Sequence, residues 1–332
     1  MMTNDNSMNG YSFLVDSTPY TVWDSGIKNF NIDYINSINP KFYDFIAHQN
    51  YDIIIDKNAN KENKQFASIL LRNYYAQVLE TLFALIFASL QSPHCVLLWM
   101  LKYRNKDLYS LVNKINNNES IKIRIPIEDK FSWETIVELI YYYLDDSSKV
   151  KPMLVKKYTE LLTSFANDFI DQNLLNEYNS VKHGFRLQSG GFTLIGEPLD
   201  KKYEDISISH SDYGSAFYVA EKIEDSKNQY CLKYNLLNWN PENMFQGIKF
   251  ISLLINNIII FIKYFNQLND KGLQYKTELP DKISYSPWMK IPGSGAVSRS
   301  VKVDIDSIQA NSDDQILSSY YDTITHPIDP NK

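Results

Sequence analysis

Apolar side chains recur at helical spacing through most of the chain. Within residues 65–91 they return every three or four positions, which predicts one long amphipathic helix. The same pattern predicts a second long helix from Pro152 to about Leu175 and a third from Glu242 to Leu268, with Pro152 in the first helical turn, where proline is tolerated. Shorter helices are predicted at residues 94–103, 106–115 and 131–144.

Strict alternation of apolar and polar residues appears within residues 206–239 and again near residue 301. Two alternating runs flank the polar segment 224–229, which predicts a β-hairpin. The later run is shorter and predicts one edge strand. The alternating positions are Phe217, Val219 and Ile223 in the first run, Tyr230, Leu232, Tyr234 and Leu236 in the second, and Val301, Val303 and Ile305 in the third.

Together these patterns predict a mainly α fold, namely a helical bundle with an inserted β-hairpin and less regular terminal extensions. The predicted organisation has three regions. Residues 1–64 form an N-terminal arm with short extended and helical pieces, residues 65–270 form the bundle with the hairpin at about 206–239, and residues 271–332 form a C-terminal extension. The arm and the extension are expected to pack against the bundle or against a partner.

The composition and charge narrow the class of protein. Hydrophobic residues make up 44% of the 332 residues and charged residues 22%, which is typical of a globular protein and excludes a wholly disordered chain. The net charge of −6 excludes a basic field over the whole surface, although a local basic patch remains possible. The chain has two cysteines and shows no charged start followed by an apolar run, so we expect a cytoplasmic protein.

One apolar stretch, residues 248–265, has to be weighed as a membrane span. Polar residues interrupt it near one face of the predicted helix, and a lipid-exposed helix would carry such a stripe only at a high cost. We therefore predict a long buried helix with one polar edge, and no membrane partner. The interrupting residues are Lys249, Ser252, Asn256, Lys263 and Asn266.

The segment 177–185 carries the residues with the clearest chemical potential. Asn179 and His183 are four positions apart, so both project from one face of the predicted helix. Gly184 then occupies the position where a glycine commonly ends a helix. His183 beside an amide could act as a general acid or base. The alternative is structural, with His183 as a capping residue and Asn179 holding the next loop.

The arrangement Asn179-x-x-x-His183 follows long antiparallel helices and precedes a hairpin and another long helix. In this it resembles the HEPN family (higher eukaryotes and prokaryotes nucleotide-binding), over at most residues 65–270. The resemblance implies a bundle of four or five helices. Many members are metal-independent ribonucleases, and others are noncatalytic RNA-binding or dimerising modules. Enzymatic members have an arginine at the position of Tyr178, which carries no fixed positive charge.

Two functions therefore follow from the resemblance. The first is a noncatalytic interaction or RNA-binding module that acts as a homodimer, which fits Tyr178. The alternative is a metal-independent endoribonuclease that uses His183 and Asn179. The expected partners are a second copy of the chain and an RNA or another protein, with no cofactor and no metal, because the histidines lack metal-ligand spacing. Three cations are candidates for phosphate contact, unless they form ordinary ion pairs: Lys182, Arg186 and Arg72.

Overall fold

The computed structural model describes residues 10–24, 26–124, 131–144, 150–195, 208–223, 229–268, 273–278 and 295–304. The predicted mainly α architecture with a β-hairpin is confirmed. The helices of this described part are α1 (Ile27–Ser37), α2 (Lys41–Ile55), α3 (Lys61–Gln91), α4 (Val96–Lys102), α5 (Asn105–Asn116), α6 (Trp133–Ile140), α7 (Val150–Ile170), α8 (Gln172–Lys182) and α9 (Pro241–Phe265).

Within the described residues the strands form three antiparallel sheets. The strands are β1 (Tyr11–Val15), β2 (Thr18–Val22), β3 (Leu187–Ser189), β4 (Thr193–Ile195), β5 (Ile208–His210), β6 (Gly214–Lys222), β7 (Gln229–Asn238) and β8 (Gly295–Asp304). The largest has the order β3-β6-β7-β8, while β1 pairs with β2 and β4 pairs with β5. The predicted hairpin is the pair β6–β7, and the predicted edge strand is β8, in which Val301 lies opposite Leu232. Ile305 of that predicted run lies outside the described residues.

The first long helix starts earlier than its apolar pattern indicates. α3 begins at Lys61, four residues before the predicted start, because the side chain of Asn60 accepts a hydrogen bond from the backbone N–H of Asn63 at 2.7 Å. This N-cap satisfies one of the backbone donors that a helix start leaves unpaired. The predicted boundary between arm and bundle at residue 64 therefore falls inside a helix.

The helix predicted from residue 152 to about residue 175 is in fact two helices, α7 and α8. Asp171 separates them because its own backbone is extended while its side chain accepts the N–H groups of Asn173 and Leu174 at 2.8 and 3.3 Å. The carboxylate of Asp171 thus ends one helix and caps the next, where a negative charge is favourable at the helix N-terminus.

The core is centred on α3 and α9, and α2 packs on both of them. Ala47 and Ile54 of α2 belong to the same hydrophobic cluster as Leu79 of α3 and Ile258 of α9. The region predicted as an N-terminal arm therefore contributes a core helix to the bundle. Burial of these apolar side chains supplies the main driving force for the packing of the three helices.

The most apolar helix, α9, is long and apolar enough by length and composition to cross a membrane, and 72% of its most apolar window is buried inside the protein. Its predicted polar edge is partly used for packing, since Ser252 is buried and donates to the carbonyl of Pro40 at 2.8 Å. The helix thus serves as the central core helix of the described fold. The absence of a membrane partner stays a prediction.

Asn257 of α9 holds the segment 273–278 against the bundle. Its fully buried side chain donates to Tyr141 Oη at 2.8 Å and to the carbonyl of Lys276 at 2.9 Å, and it accepts the N–H of Lys276 at 2.8 Å. Asn257→Ala is expected to lower the free energy of unfolding by roughly 2–3 kcal/mol, because it leaves buried backbone groups unpaired. Urea unfolding measures the loss.

Asn256→Ala provides the matched control for this prediction, since Asn256 is the neighbouring amide and is only half-buried. Its one described hydrogen bond, to Asn257 Oδ1, is long at 3.4 Å. We expect a change below about 0.5 kcal/mol for the control, as for most partly exposed positions. Equal losses in the two variants would contradict the assigned role of Asn257.

Candidate nucleic-acid interface

The turn that follows α8 has a defined backbone. The helix ends at Lys182 with His183 as the C-cap, and Gly184 adopts a φ of +98°. The N–H of His183 donates to the carbonyl of Asn179 at 3.0 Å, and the N–H of Arg186 donates back to the carbonyl of Ser180 at 2.7 Å. This is the glycine-terminated helix end that the sequence indicates, and it fixes the direction of the next residues.

Phe185 is the unusual residue of this turn. Its φ of +50° places a bulky side chain in the left-handed region, which such residues rarely adopt. Its ring is 64% exposed, and the neighbouring Lys182, His183 and Arg186 are exposed as well. Neither the strained backbone nor the exposed ring contributes to packing, so this turn is a candidate for a binding role.

Asn179 lies in the last turn of α8, whereas His183 is the C-cap with a non-helical backbone, and no hydrogen bond joins their side chains in the part of the chain that the structure describes. Asn179 is half-buried, while His183 faces solvent. Tyr178 is half-buried too, and its ring lies 5.7 Å from Lys182 Nζ. Burial, and then the nearby carboxylate of Glu80, raise the pKa of Tyr178, so it stays a neutral hydroxyl.

Arg72 does not contact this surface, which corrects its prediction as a phosphate contact. Its side chain is only 5% exposed, and its Nε donates to Glu177 Oε2 at 2.8 Å. Its guanidinium carbon lies 5.2 Å from the centre of the Trp239 ring. Since Arg72 is on the inner side of α3, its charge is used to hold the bundle together and cannot reach a phosphate at the surface.

Glu177, which the sequence analysis did not single out, positions α8. Its second oxygen accepts a hydrogen bond from Ser215 of β6, so one carboxylate joins α8 to both α3 and the sheet. The sequence does contain a sign of this role, because Glu177 follows Leu174 by three residues and therefore lies on the apolar face of the helix. A carboxylate on a buried face requires a cationic or hydrogen-bonding partner.

The sheet continues the exposed turn with aromatic residues. Leu187 pairs with Phe217, and both are buried, so Tyr218, the next residue of β6, lies on the outer face, while Arg186 directly precedes β3. Tyr218 is 57% exposed, and its ring centre lies 4.7 Å from that of Tyr234 on β7. We group these two tyrosines with the exposed residues around the turn after α8 and call the group the basic–aromatic surface: Lys182, Phe185, Arg186, Tyr218 and Tyr234.

The charge of this surface is positive within the described residues. No carboxylate there pairs with Lys182 or Arg186. The outer face of the β6–β7 pair adds Lys222, while Glu221 points to the other face, where it pairs with Lys233. The surface is therefore locally basic although the whole chain is acidic, as the composition allowed.

Two further observations complete the site. Within the described ranges, no group of three or more His, Cys, Asp or Glu side chains could hold a metal ion. In comparisons with known proteins, the chain matches no protein-family model, no curated protein and no solved structure.

Proposed function

We propose that this protein is a noncatalytic, HEPN-like module that acts as a homodimer and binds single-stranded RNA through the basic–aromatic surface. The observation that carries the proposal is the exposed ring of Phe185, held in a strained turn between Lys182 and Arg186. Aromatic rings stack on unpaired bases, and flanking cations contact the phosphates, which is the usual combination for single-stranded nucleic acid.

The proposal favours single strands over a duplex. Exposed rings such as those of Phe185 and Tyr218 can only stack on bases that are not already stacked in a helix. Few cations take part, so binding is expected to depend on salt with a shallow slope, on the order of two to three phosphate charges. An acidic chain would repel a long duplex away from this one patch.

Three observations about side chains support the noncatalytic part of this proposal. Tyr178 stands where enzymatic members have an arginine, and Arg72 is used in a buried ion pair. The side chains of Asn179 and His183 are not hydrogen-bonded to each other in the described structure. A fixed cation beside the scissile phosphate stabilises the developing negative charge, and its loss typically costs about 10²–10³ in rate.

Phe185→Ala is expected to weaken binding of a fluorescein-labelled single-stranded RNA by roughly 5- to 100-fold, because stacking contributes about 1–3 kcal/mol per base. Fluorescence anisotropy at two salt concentrations measures the effect. Phe30→Ala is the matched control, since its ring on α1 is 66% exposed, close to the 64% of Phe185. Equal affinities of the two variants would refute the role of Phe185.

A cleavage assay distinguishes the noncatalytic module from the endoribonuclease alternative. The alternative is favoured by two cations, Lys182 and Arg186, near the exposed His183. Wild type, His183→Ala and Tyr178→Arg are incubated with the RNA in the presence of a chelator. We expect no cleavage that depends on His183. Chelator-resistant cleavage by wild type that is lost in His183→Ala would replace the noncatalytic proposal with the enzymatic one.

A further inference from the structure

A second exposed surface, apolar this time, lies on α2 and α3. Phe42, Phe45 and Ile53 follow one another at helical spacing on α2, and Phe66 and Leu70 lie four apart on α3. In that order they are 57%, 57%, 42%, 48% and 58% exposed. Single exposed apolar residues are ordinary, but a row on two packed helices marks an interaction site. We call these five residues the α2–α3 face.

The two helices carry this face on the same side. α2 and α3 pack on each other and are joined by the short segment 56–60, so they run antiparallel. α9 covers the opposite side of both helices: Phe245 stacks on Tyr51 of α2 at 4.3 Å, and Gly247 lies directly against the ring of Tyr75 of α3. The α2–α3 face therefore points away from the core.

The area of this face matches what a stable dimer needs. The exposed parts of the three phenylalanine rings and of Ile53 and Leu70 amount to roughly 500 Å² of apolar surface, using ordinary side-chain areas. A standard interface buries about 800 Å² on each partner, and somewhat more than half of that is apolar. The α2–α3 face thus supplies the apolar part of one standard interface without any contribution from elsewhere.

The charges around the face are self-complementary. Lys41 and Asp52 are both exposed and lie near opposite ends of α2. A two-fold axis that crosses the helix near Ile46, midway between Lys41 and Asp52, brings Lys41 beside Asp52 of the partner subunit, and the reverse pair forms at the other end. An isologous contact of this kind needs both signs of charge on one surface, which this surface has.

We propose that the α2–α3 face binds the same face of a second copy of this chain, with the two α2 helices antiparallel. The four helices then pack as an intermolecular bundle whose apolar side chains interdigitate. The inference rests on the homodimer part of the proposed function and locates the interface. It leaves the basic–aromatic surface free, so RNA binding and dimer formation fail independently in experiments.

Sedimentation velocity of the full chain at micromolar concentration tests the proposal. Wild type is expected to have twice the chain mass of 38.7 kDa. Phe45→Asp is expected to raise the dimer dissociation constant at least 100-fold, because it places an unpaired charge at the centre of the contact. Phe30→Asp is the control, since its ring on α1 is as exposed but lies outside the face. Helical circular dichroism verifies that both variants fold.

Charge exchange tests the antiparallel arrangement. Lys41→Glu and Asp52→Lys are each expected to weaken the dimer several-fold, since each creates two like-charge contacts, and the double variant is expected to restore the wild-type constant. A monomeric wild type, or equal effects of Phe45→Asp and Phe30→Asp, would overturn the proposal. A monomer that binds phosphatidylcholine vesicles through Phe45 would also overturn it, and failure of the double variant to recover would overturn the antiparallel geometry.

Discussion

Glu177→Ala is expected to lower the free energy of unfolding by roughly 3–5 kcal/mol, one of the two largest effects in this protein. The change removes the partner of Arg72, whose charge is then left buried and uncompensated. It also removes the acceptor of the Ser215 hydroxyl. Arg72 Nη1 already has no hydrogen-bond partner among the described residues, so no second carboxylate there compensates the loss.

A double-mutant cycle separates the ion pair from simple loss of packing. Arg72→Met with Glu177→Leu replaces both charges by apolar groups of similar size, and we expect most of the lost stability to return. Glu138→Ala is the control, because Glu138 is an exposed carboxylate on α6, and a change below about 0.5 kcal/mol is expected. A loss in Glu177→Ala no larger than in Glu138→Ala, measured by urea unfolding, would show that the pair does not hold α8.

The ion pair of Arg72 and Glu177 also shows why the sequence could predict only part of the candidate site. The end of α8 at His183 and Gly184 is a local property, so spacing and glycine chemistry were sufficient to predict it. Arg72 and Glu177 are separated by 105 positions, and only the packing of α3 against α8 brings them together. Sequence patterns identify the charged groups but do not tell which of them meet.

The accuracy of the helix predictions also depended on whether local sequence or tertiary packing decides each helix. Periodicity was sufficient for α3 and α9, because their buried faces persist over many turns. The break at Asp171 was missed because apolar spacing continues through it, while a single capping side chain decides the boundary. The packing of α2 on α3 and α9 is a tertiary property, since α2 exposes apolar residues on its other side and has no clear amphipathic pattern.

The sequence also could not predict that the two tyrosines of the basic–aromatic surface face solvent. The predicted hairpin contains Tyr218 and Tyr234, but only the register of β6 and β7 shows that both tyrosines lie on the face opposite Phe217. Alternation does not tell which face is buried, because both faces carry large apolar or aromatic residues. The contact of Phe217 with the core settles this, and it turns the two tyrosines outward beside the α8 turn.

Raising the pH above 10 is expected to unfold the protein cooperatively. Three tyrosines, Tyr75, Tyr141 and Tyr158, are fully buried. Burial raises the pKa of Tyr158 to about 12 and those of Tyr75 and Tyr141 well above 10, with the Asp168 carboxylate adding to the effect at Tyr75. The hydroxyl of Tyr75 donates to Asp168 at 2.8 Å, which also favours the protonated form.

The direction of the effect follows from proton linkage. Below pH 10 these hydroxyls are protonated in both the folded and the unfolded chain, so their contribution to stability is complete. Between about pH 10 and 12 the unfolded chain releases these three protons, and those of other tyrosines whose pKa burial raises, such as Tyr34 and Tyr109, while the folded chain keeps them. Each such proton lowers stability by about 1.36 kcal/mol per pH unit. The three together remove roughly 4 kcal/mol per unit, a large share of the roughly 5–15 kcal/mol typical of a folded domain.

Simultaneous measurement of helical circular dichroism and tyrosinate absorbance tests this expectation. Loss of helix and ionisation of the buried tyrosines should coincide, with a steep transition between pH 11 and 12. Tyr158→Phe should make the transition less steep by one linked proton, about 1.36 kcal/mol per pH unit, while Tyr142→Phe, at an exposed position, should leave the steepness unchanged. Complete ionisation near pH 10 with the helical signal intact would show that the buried hydroxyls are open to solvent and would refute the linkage.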